Sequence, residues 1–138
     1  MAREKTVVLI KPDAVYAGQA ADIIGRYLEN GLQILYRDER RFSEAEAKAF
    51  YSEHVGRFYF PGLVLAMTSG PLVALVLEGE NAIAKVRDLN GLTDPNKASL
   101  GTIRHDFRSA GGPFNTVHAS DSARSATREI ESLQLPWR

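Results

Sequence analysis

The run Asn115-Thr116-Val117-His118-Ala119-Ser120-Asp121-Ser122 sets one imidazole among small and hydrogen-bonding residues. A glycine-rich segment, Ser109-Ala110-Gly111-Gly112-Pro113, precedes it, and a helical pattern carrying Glu129 follows. These residue types suit covalent catalysis by a ring nitrogen. The ring attacks, nearby donors hold an anion, and a carboxylate orients the ring. A nucleophilic imidazole must be neutral. Neighbouring cations favour that form, while a carboxylate opposes them and fixes the tautomer and direction of the ring.

Such a site needs elements to position it. Thr6-Val7-Val8-Leu9-Ile10 is apolar after Thr6 and reads as a buried central strand, ended by Lys11-Pro12-Asp13. Residues 19–30 place Ile23, Ile24, Tyr27 and Leu28 at helical spacing, with Gly31 as the stop. Residues 33–42 alternate, which predicts a strand with Ile34, Tyr36 and Asp38 on one face and Leu35, Arg37 and Glu39 on the other. Ser43-Glu44-Ala45-Glu46 is a capping box, so a helix is expected from Ser43 to about His54. A second short helix is expected over 61–68, with Pro61 in its first turn, then a turn at Ser69-Gly70-Pro71. Residues 72–77 form another buried strand. Residues 81–90 form a helix with Ala82, Ile83, Val86 and Leu89 on one face and Gly91 as its stop. Residues 91–115 have no clear period, and so long a stretch in a compact domain is functional or disordered. A short strand at 116–119 and a final helix over 122–133 close the chain. The order βαβαβαβα predicts a single α/β domain over 1–138. Its fold is a ferredoxin-like sandwich with a four-stranded, antiparallel-rich sheet and helices on one face.

Composition bounds the partners. The 138 residues contain 17 Lys plus Arg and 17 Asp plus Glu, so no global field favours nucleic acid or an acidic membrane. Zero net charge gives little colloidal repulsion and makes self-association a fair expectation. The absence of Cys excludes disulfides and thiolate zinc sites and fits a reducing compartment. No apolar run approaches the ~20 residues of a membrane span, and the start of the chain reads as strand, without signal or transit peptide. A cytoplasmic location is expected.

Several ordered blocks resemble the nucleoside diphosphate kinase family. The histidine run is similar to the signature N-x-x-H-G-S-D-S, with Ala119 in place of Gly. Leu9-Ile10-Lys11-Pro12-Asp13-Ala14 resembles the family's first strand and its lysine. Phe60-Pro61-Gly62-Leu63-Val64, Thr68-Ser69-Gly70-Pro71, Leu77-Glu78-Gly79-Glu80-Asn81-Ala82, Thr93-Asp94-Pro95, Gly101-Thr102-Ile103-Arg104 and Arg128-Glu129-Ile130 follow in family order. The resemblance implies that His118 takes the γ-phosphoryl group of a nucleoside triphosphate and passes it to a nucleoside diphosphate. Mg2+ would arrive with the nucleotide rather than in a protein cage. It further implies that Lys11, Arg87, Thr93 and Arg104 hold phosphates, that Tyr51 and Asn115 contact phosphate or sugar, and that Glu129 orients the ring. Ser120 would position either the carboxylate or the ring. Tyr59 matches the aromatic base platform, where Phe is commoner, with Leu63 one helical turn away. The small apolar residue opposite should fall near Gly111 or Gly112, where this chain carries one extra residue. Family members are homo-oligomers, and a tetramer or a hexamer is expected.

Other departures mark specific places. Phe114 stands where Arg is common and would either cover the base or pack. His105 replaces Gly, and Leu100 replaces Pro in a loop that lies at subunit contacts in the family. Ala119 predicts an ordinary β conformation. Trp137 would dock on a neighbour or on its own domain. Taken singly, each feature has a plainer reading: His54 and His105 are structural, Lys11 is a strand-end charge, Arg87 is a solvated helix residue, Thr93 is a turn residue, and Glu129 is a surface carboxylate. Only their common order favours a kinase over a binding relative that has lost turnover. A nucleic-acid module has no basic stripe to support it.

Overall fold

The computed structural model describes residues 3–109 and 111–134. Trp137 lies outside the described residues.

The central strand forms where the apolar run required it. Strand β1 (Arg3–Ile10) pairs antiparallel with β3 (Leu72–Glu80) on one side and with β4 (Val117–Ala119) on the other. β2 (Gln33–Arg40) pairs antiparallel with the outer side of β3, which gives the sheet order β2-β3-β1-β4. This is the double split-βαβ topology of the ferredoxin-like sandwich.

The helices lie on both faces of the sheet, not one. Alternation along β1 and β3 sends Val7, Leu9, Leu72, Ala74 and Val76 to one core and Val8, Ile10, Val73, Leu75 and Leu77 to the other. The first core is closed by α3 (Glu44–Phe50), α4 (Phe60–Met67) and the end of α7 (Ala123–Ser132). The second is closed by α1 (Pro12–Tyr16), α2 (Ala20–Glu29), α5 (Ala82–Asn90) and α6 (Ile103–Asp106). Nearly continuous apolar runs in β1 and β3 are what a sheet buried on both sides demands, and they contradict the one-face expectation.

Four further differences have local causes. A bulge in β2 between Ile34 and Tyr36 leaves Leu35 without a register partner, so Ile34 packs with Leu77 in one core and Tyr36 packs on the other. Simple alternation predicts both on one face. The capping box at Ser43 forms, with both reciprocal bonds, yet α3 ends at Phe50 and the chain passes into a single 3-10 turn at Ser52–His54. Two short helices had no period long enough to read: α1, entered through Pro12, and α6, capped by the Thr102 hydroxyl. Leu28, expected in the core, is half exposed.

Leu75 is fully buried at the middle of the sheet. Leu75→Ala should lower stability by about 2–5 kcal/mol. Urea unfolding checks this, and a loss below about 1 kcal/mol would mean that the site collapses around the smaller side chain.

Candidate active site

Register brings the chemistry together. Leu9 pairs with His118 and Ile10 with Val117, and the ladder continues through a bond from Lys11 N–H to Thr116 O at 2.9 Å. Lys11, at the end of the central strand, therefore stands beside the edge strand that carries His118. A slip of one residue would turn His118 to the opposite face. In the observed register its ring lies edge-on to Phe50 and Tyr51, with centroids 5.2 and 5.4 Å away. Ala119 sits in β4 opposite Val8, in ordinary extended backbone, as expected.

The ring is held from behind. His118 Nε2 lies 3.0 Å from Glu129 Oε1, and the Ser120 hydroxyl donates to the same oxygen at 2.8 Å. Ser120 thus positions the carboxylate, and its oxygen also accepts from Val7 N–H at 3.0 Å, which ties it to β1. Arg128 reaches the other carboxylate oxygen at 3.5 Å and donates to Phe50 O at 3.0 Å. Glu129 is buried, on the inner face of α7, and not the surface carboxylate it resembles in isolation. A buried carboxylate is tolerable when hydrogen bonds replace its water.

In front of the ring the chain bends sharply. Val117 N–H donates to Asn115 O at 2.9 Å, and Thr116 between them has φ +79°. That conformation is unusual for a β-branched residue and costs about 1–3 kcal/mol. Three contacts impose it: Thr116 N–H to Asp13 Oδ2 at 3.2 Å, Thr116 O to Lys11 N–H, and the Thr116 hydroxyl to Phe107 O at 2.8 Å. The bend aims the Asn115 side chain at Lys11, whose ammonium donates to Asn115 Oδ1 at 2.6 Å and to Pro113 O at 3.3 Å. Asn115 Nδ2 in turn donates to Thr93 O at 3.2 Å.

Arg104 crosses the same space. Its guanidinium donates to Gly91 O at 2.7 Å, Val117 O at 2.9 Å and Asn115 O at 3.3 Å. Arg87, Gly91, Thr93, Thr102 and Arg104 line a cleft of about 390 Å³. A larger open depression of about 700 Å³ shares Asp88 with it but is lined by none of the candidate site residues. Volume alone is a poor guide here, because the smaller cleft is the one lined by Arg87 and Arg104. Burial lowers the Lys11 pKa from 10.5 to about 8, with Arg104 adding to the shift and Asp13 opposing it. Burial also lowers Arg104, and Arg87 beside it contributes. Burial raises the Tyr51 phenol, so it stays a donor, and its hydroxyl has no partner within the described residues.

The nucleoside end is less crowded. Tyr59, at the start of α4, is 40% exposed. Leu63 lies one turn on, with its N–H donating to Tyr59 O, but its side chain belongs to the core with Val64 and Met67. Gly111 and Phe114 exchange two backbone bonds of 3.1 Å, so Gly112 and Pro113 form the tip of a tight turn. A Cβ on Gly62 would lie 3.8 Å from Pro113 Cγ, so the proline ring, not Gly111 or Gly112, brings the apolar surface beside α4. His105 pairs with Asp106 at 3.0 Å, a local structural role, and Leu100 is 84% exposed.

Of the residues expected at the site, His118, Glu129, Ser120 and Tyr51 form one set of direct contacts, Lys11, Asn115, Thr93 and Arg104 form another, and Arg87 lines the cleft with Thr93 and Arg104. Leu63 and Tyr59 flank the site. Phe50, Asp13, Thr116 and Arg128 were missed. The K-P-D triplet after β1 was the available signal for Asp13.

A family model described as nucleoside diphosphate kinase matches residues 4–134. A nucleoside diphosphate kinase of Anaeromyxobacter sp. strain K is 50% identical over 130 residues, which is 94% of this chain and 88% of that protein. The nucleoside diphosphate kinase of Anaeromyxobacter dehalogenans strain 2CP-C is 49% identical over the same shares. The crystal structure of the Aquifex aeolicus nucleoside diphosphate kinase in an orthorhombic form superposes with a TM-score of 0.94 at 40% identity. It covers 99% of this chain and 98% of that one.

The shifted lysine makes a stability prediction. Below about pH 8 Lys11 is charged in both folded and unfolded chains, and its burial penalty is fully present. Between about pH 8 and 10.5 the folded chain sheds the proton while the unfolded chain keeps it, so the penalty fades and stability rises. The urea midpoint of the unaltered, nucleotide-free protein should therefore gain on that of Lys11→Met from pH 8 to pH 10. A difference that stays flat over that range contradicts the shift.

Proposed function

The chain belongs to the nucleoside diphosphate kinase family, and from that premise we propose how its own residues carry out the family's reaction. The activity is transfer of the γ-phosphoryl group of a nucleoside triphosphate to a nucleoside diphosphate, in two steps through a phosphohistidine. We assign that histidine as His118. The observation that carries the assignment is its bond to Glu129: with Nε2 committed as donor, Nδ1 presents its lone pair. Nδ1 forms the bond to the γ-phosphorus, the bond from phosphorus to the bridging oxygen breaks, and the departing diphosphate keeps those electrons. An oxygen of a second diphosphate then attacks the same phosphorus, and the imidazole leaves neutral. Glu129 stabilises the positive charge that the ring gains on attack.

The cleft supports the rest of the assignment. Phosphoryl transfer depends on positioning and on neutralising anionic oxygens. Arg87, Thr93 and Arg104 would hold the phosphates. Arg104 spends three of its five N–H groups on backbone carbonyls, which fixes the guanidinium plane and leaves two for oxygen atoms. Lys11, positioned by its bond to Asn115, would hold phosphate as a catalytic cation, and Asn115 would contact phosphate or sugar. The unpaired Tyr51 phenol is a buried donor, and a substrate oxygen would satisfy it. Tyr59 would receive the base, with Leu63 supporting it through the helix. Arg87 and Arg104 are the cleft's cations, Asp88 is its one carboxylate, and Thr93, Ser99 and Thr102 add neutral hydroxyls. Mg2+ would arrive with the nucleotide phosphates and neutralise further charge there.

The same proposal covers the setting. One domain over residues 1–138 works as a homo-oligomer, either a tetramer or a hexamer. Leu92 and Leu100, exposed in the loop after α5, would be available to a second copy. No helix is long and apolar enough to cross a membrane among the described residues, and we place the protein in the cytoplasm.

Incubation with γ-labelled ATP and Mg2+ tests the assignment. The unaltered protein should acquire an acid-labile, base-stable label that excess nucleoside diphosphate removes, and His118→Asn should acquire none. An undiminished label on His118→Asn would move the nucleophile elsewhere.

A further inference from the structure

A tyrosine at position 59 makes a contact that a phenylalanine could not. Its hydroxyl lies 2.6 Å from His54 Nδ1, and the two rings pack with centroids 5.5 Å apart at 60°. His54 is half-buried. The segment between the two residues is braced by turn bonds, Arg57 N–H to His54 O and Phe60 N–H to Arg57 O, both at 3.0 Å. His54 also leans on the Tyr51 ring at 6.0 Å, and Tyr51 packs edge-on against His118. A run of rings therefore leads from the reactive imidazole to the exposed phenol.

An exposed ring ahead of a helix is free to turn about its side-chain bonds. A base that stacks on it must first immobilise it, and that cost weakens binding. A tether that fixes the ring in advance removes part of the cost. The phenol donates to Nδ1 when the imidazole proton sits on Nε2. When Nδ1 is protonated it donates to the phenol oxygen, so either form keeps the two side chains joined.

We infer that His54 is a positioning residue for the nucleoside: through the hydroxyl of Tyr59 it holds that ring in the orientation that receives the base. The inference deepens the proposed function and rests on Tyr59 being the base platform. It assigns to His54 a role that its sequence context, which reads as structural, did not suggest.

A double-substitution cycle on the full-length protein tests it, with ADP and the base-less ribose 5-diphosphate as acceptors. His54→Ala and Tyr59→Phe should each raise the KM for ADP about twofold to tenfold, the range of one hydrogen bond, with the loss confined to KM. The double variant should be no worse than either single one. His54→Asn, whose amide oxygen can accept from the phenol, should recover most of the loss. The KM for ribose 5-diphosphate should not move in any of them. Additive losses, an unchanged KM for ADP, a fall in kcat, or an equal loss with ribose 5-diphosphate would each overturn the inference. Failure of the unaltered protein to label His118 would instead overturn the site assignment on which it rests.

Discussion

The bond between His118 Nε2 and Glu129 Oε1 is the constraint on which the site depends. An imidazole offers two nitrogens, and only a fixed tautomer makes one of them a dependable nucleophile. Here the choice is made by a carboxylate that is itself immobile. Its first oxygen is shared with Ser120, its second is approached by Arg128, and the residue is buried in α7. Keeping an ionised carboxylate inside a protein is costly unless donors surround it. The donors come from β4, from α7 and, through Ser120, from the backbone of β1. The chemistry thus depends on three elements meeting in one register.

The opposite wall of the site is built by a strained turn. Thr116 holds φ +79° because Asp13, Lys11 and Phe107 leave its backbone and hydroxyl no other partners. The bend delivers Asn115 to the Lys11 ammonium and leaves the carbonyls of 115 and 117 facing Arg104. Strain of this kind persists only where surrounding structure over-determines it. It is the reverse of flexibility: the cations that would meet phosphate are already held in position before any nucleotide arrives.

The long pattern elements were legible in the sequence. The buried runs of β1 and β3, the capping box at Ser43 and the glycine stop after α5 all rest on local rules, and each formed. The second apolar face was also implied, since β1 does not alternate, but residues 91–115 gave no hint of α6 as a cover. The bulge at Leu35 is a property of pairing between β2 and β3, so alternation within β2 alone could not reveal it. At the site, His118, Lys11, Asn115 and Arg104 could be picked out because their blocks follow a family's order. Phe50, Asp13, Thr116 and Arg128 act through tertiary contacts between segments about 10 to 100 residues apart, which no local pattern encodes. The loop before Asn115 shows the same limit. Its glycines announce a bend, but not that Gly112 and Pro113 close a two-residue turn that brings Pro113 against α4.

Which ring nitrogen carries the phosphoryl group is the most direct question to put to this protein. Phosphorus NMR on the freshly phosphorylated enzyme distinguishes the two isomers of phosphohistidine. The geometry of Glu129 predicts a single resonance from phosphate on Nδ1 of His118, discharged on addition of a nucleoside diphosphate. A resonance from the Nε2 isomer, or from any other residue, in an enzyme that still turns over would contradict it.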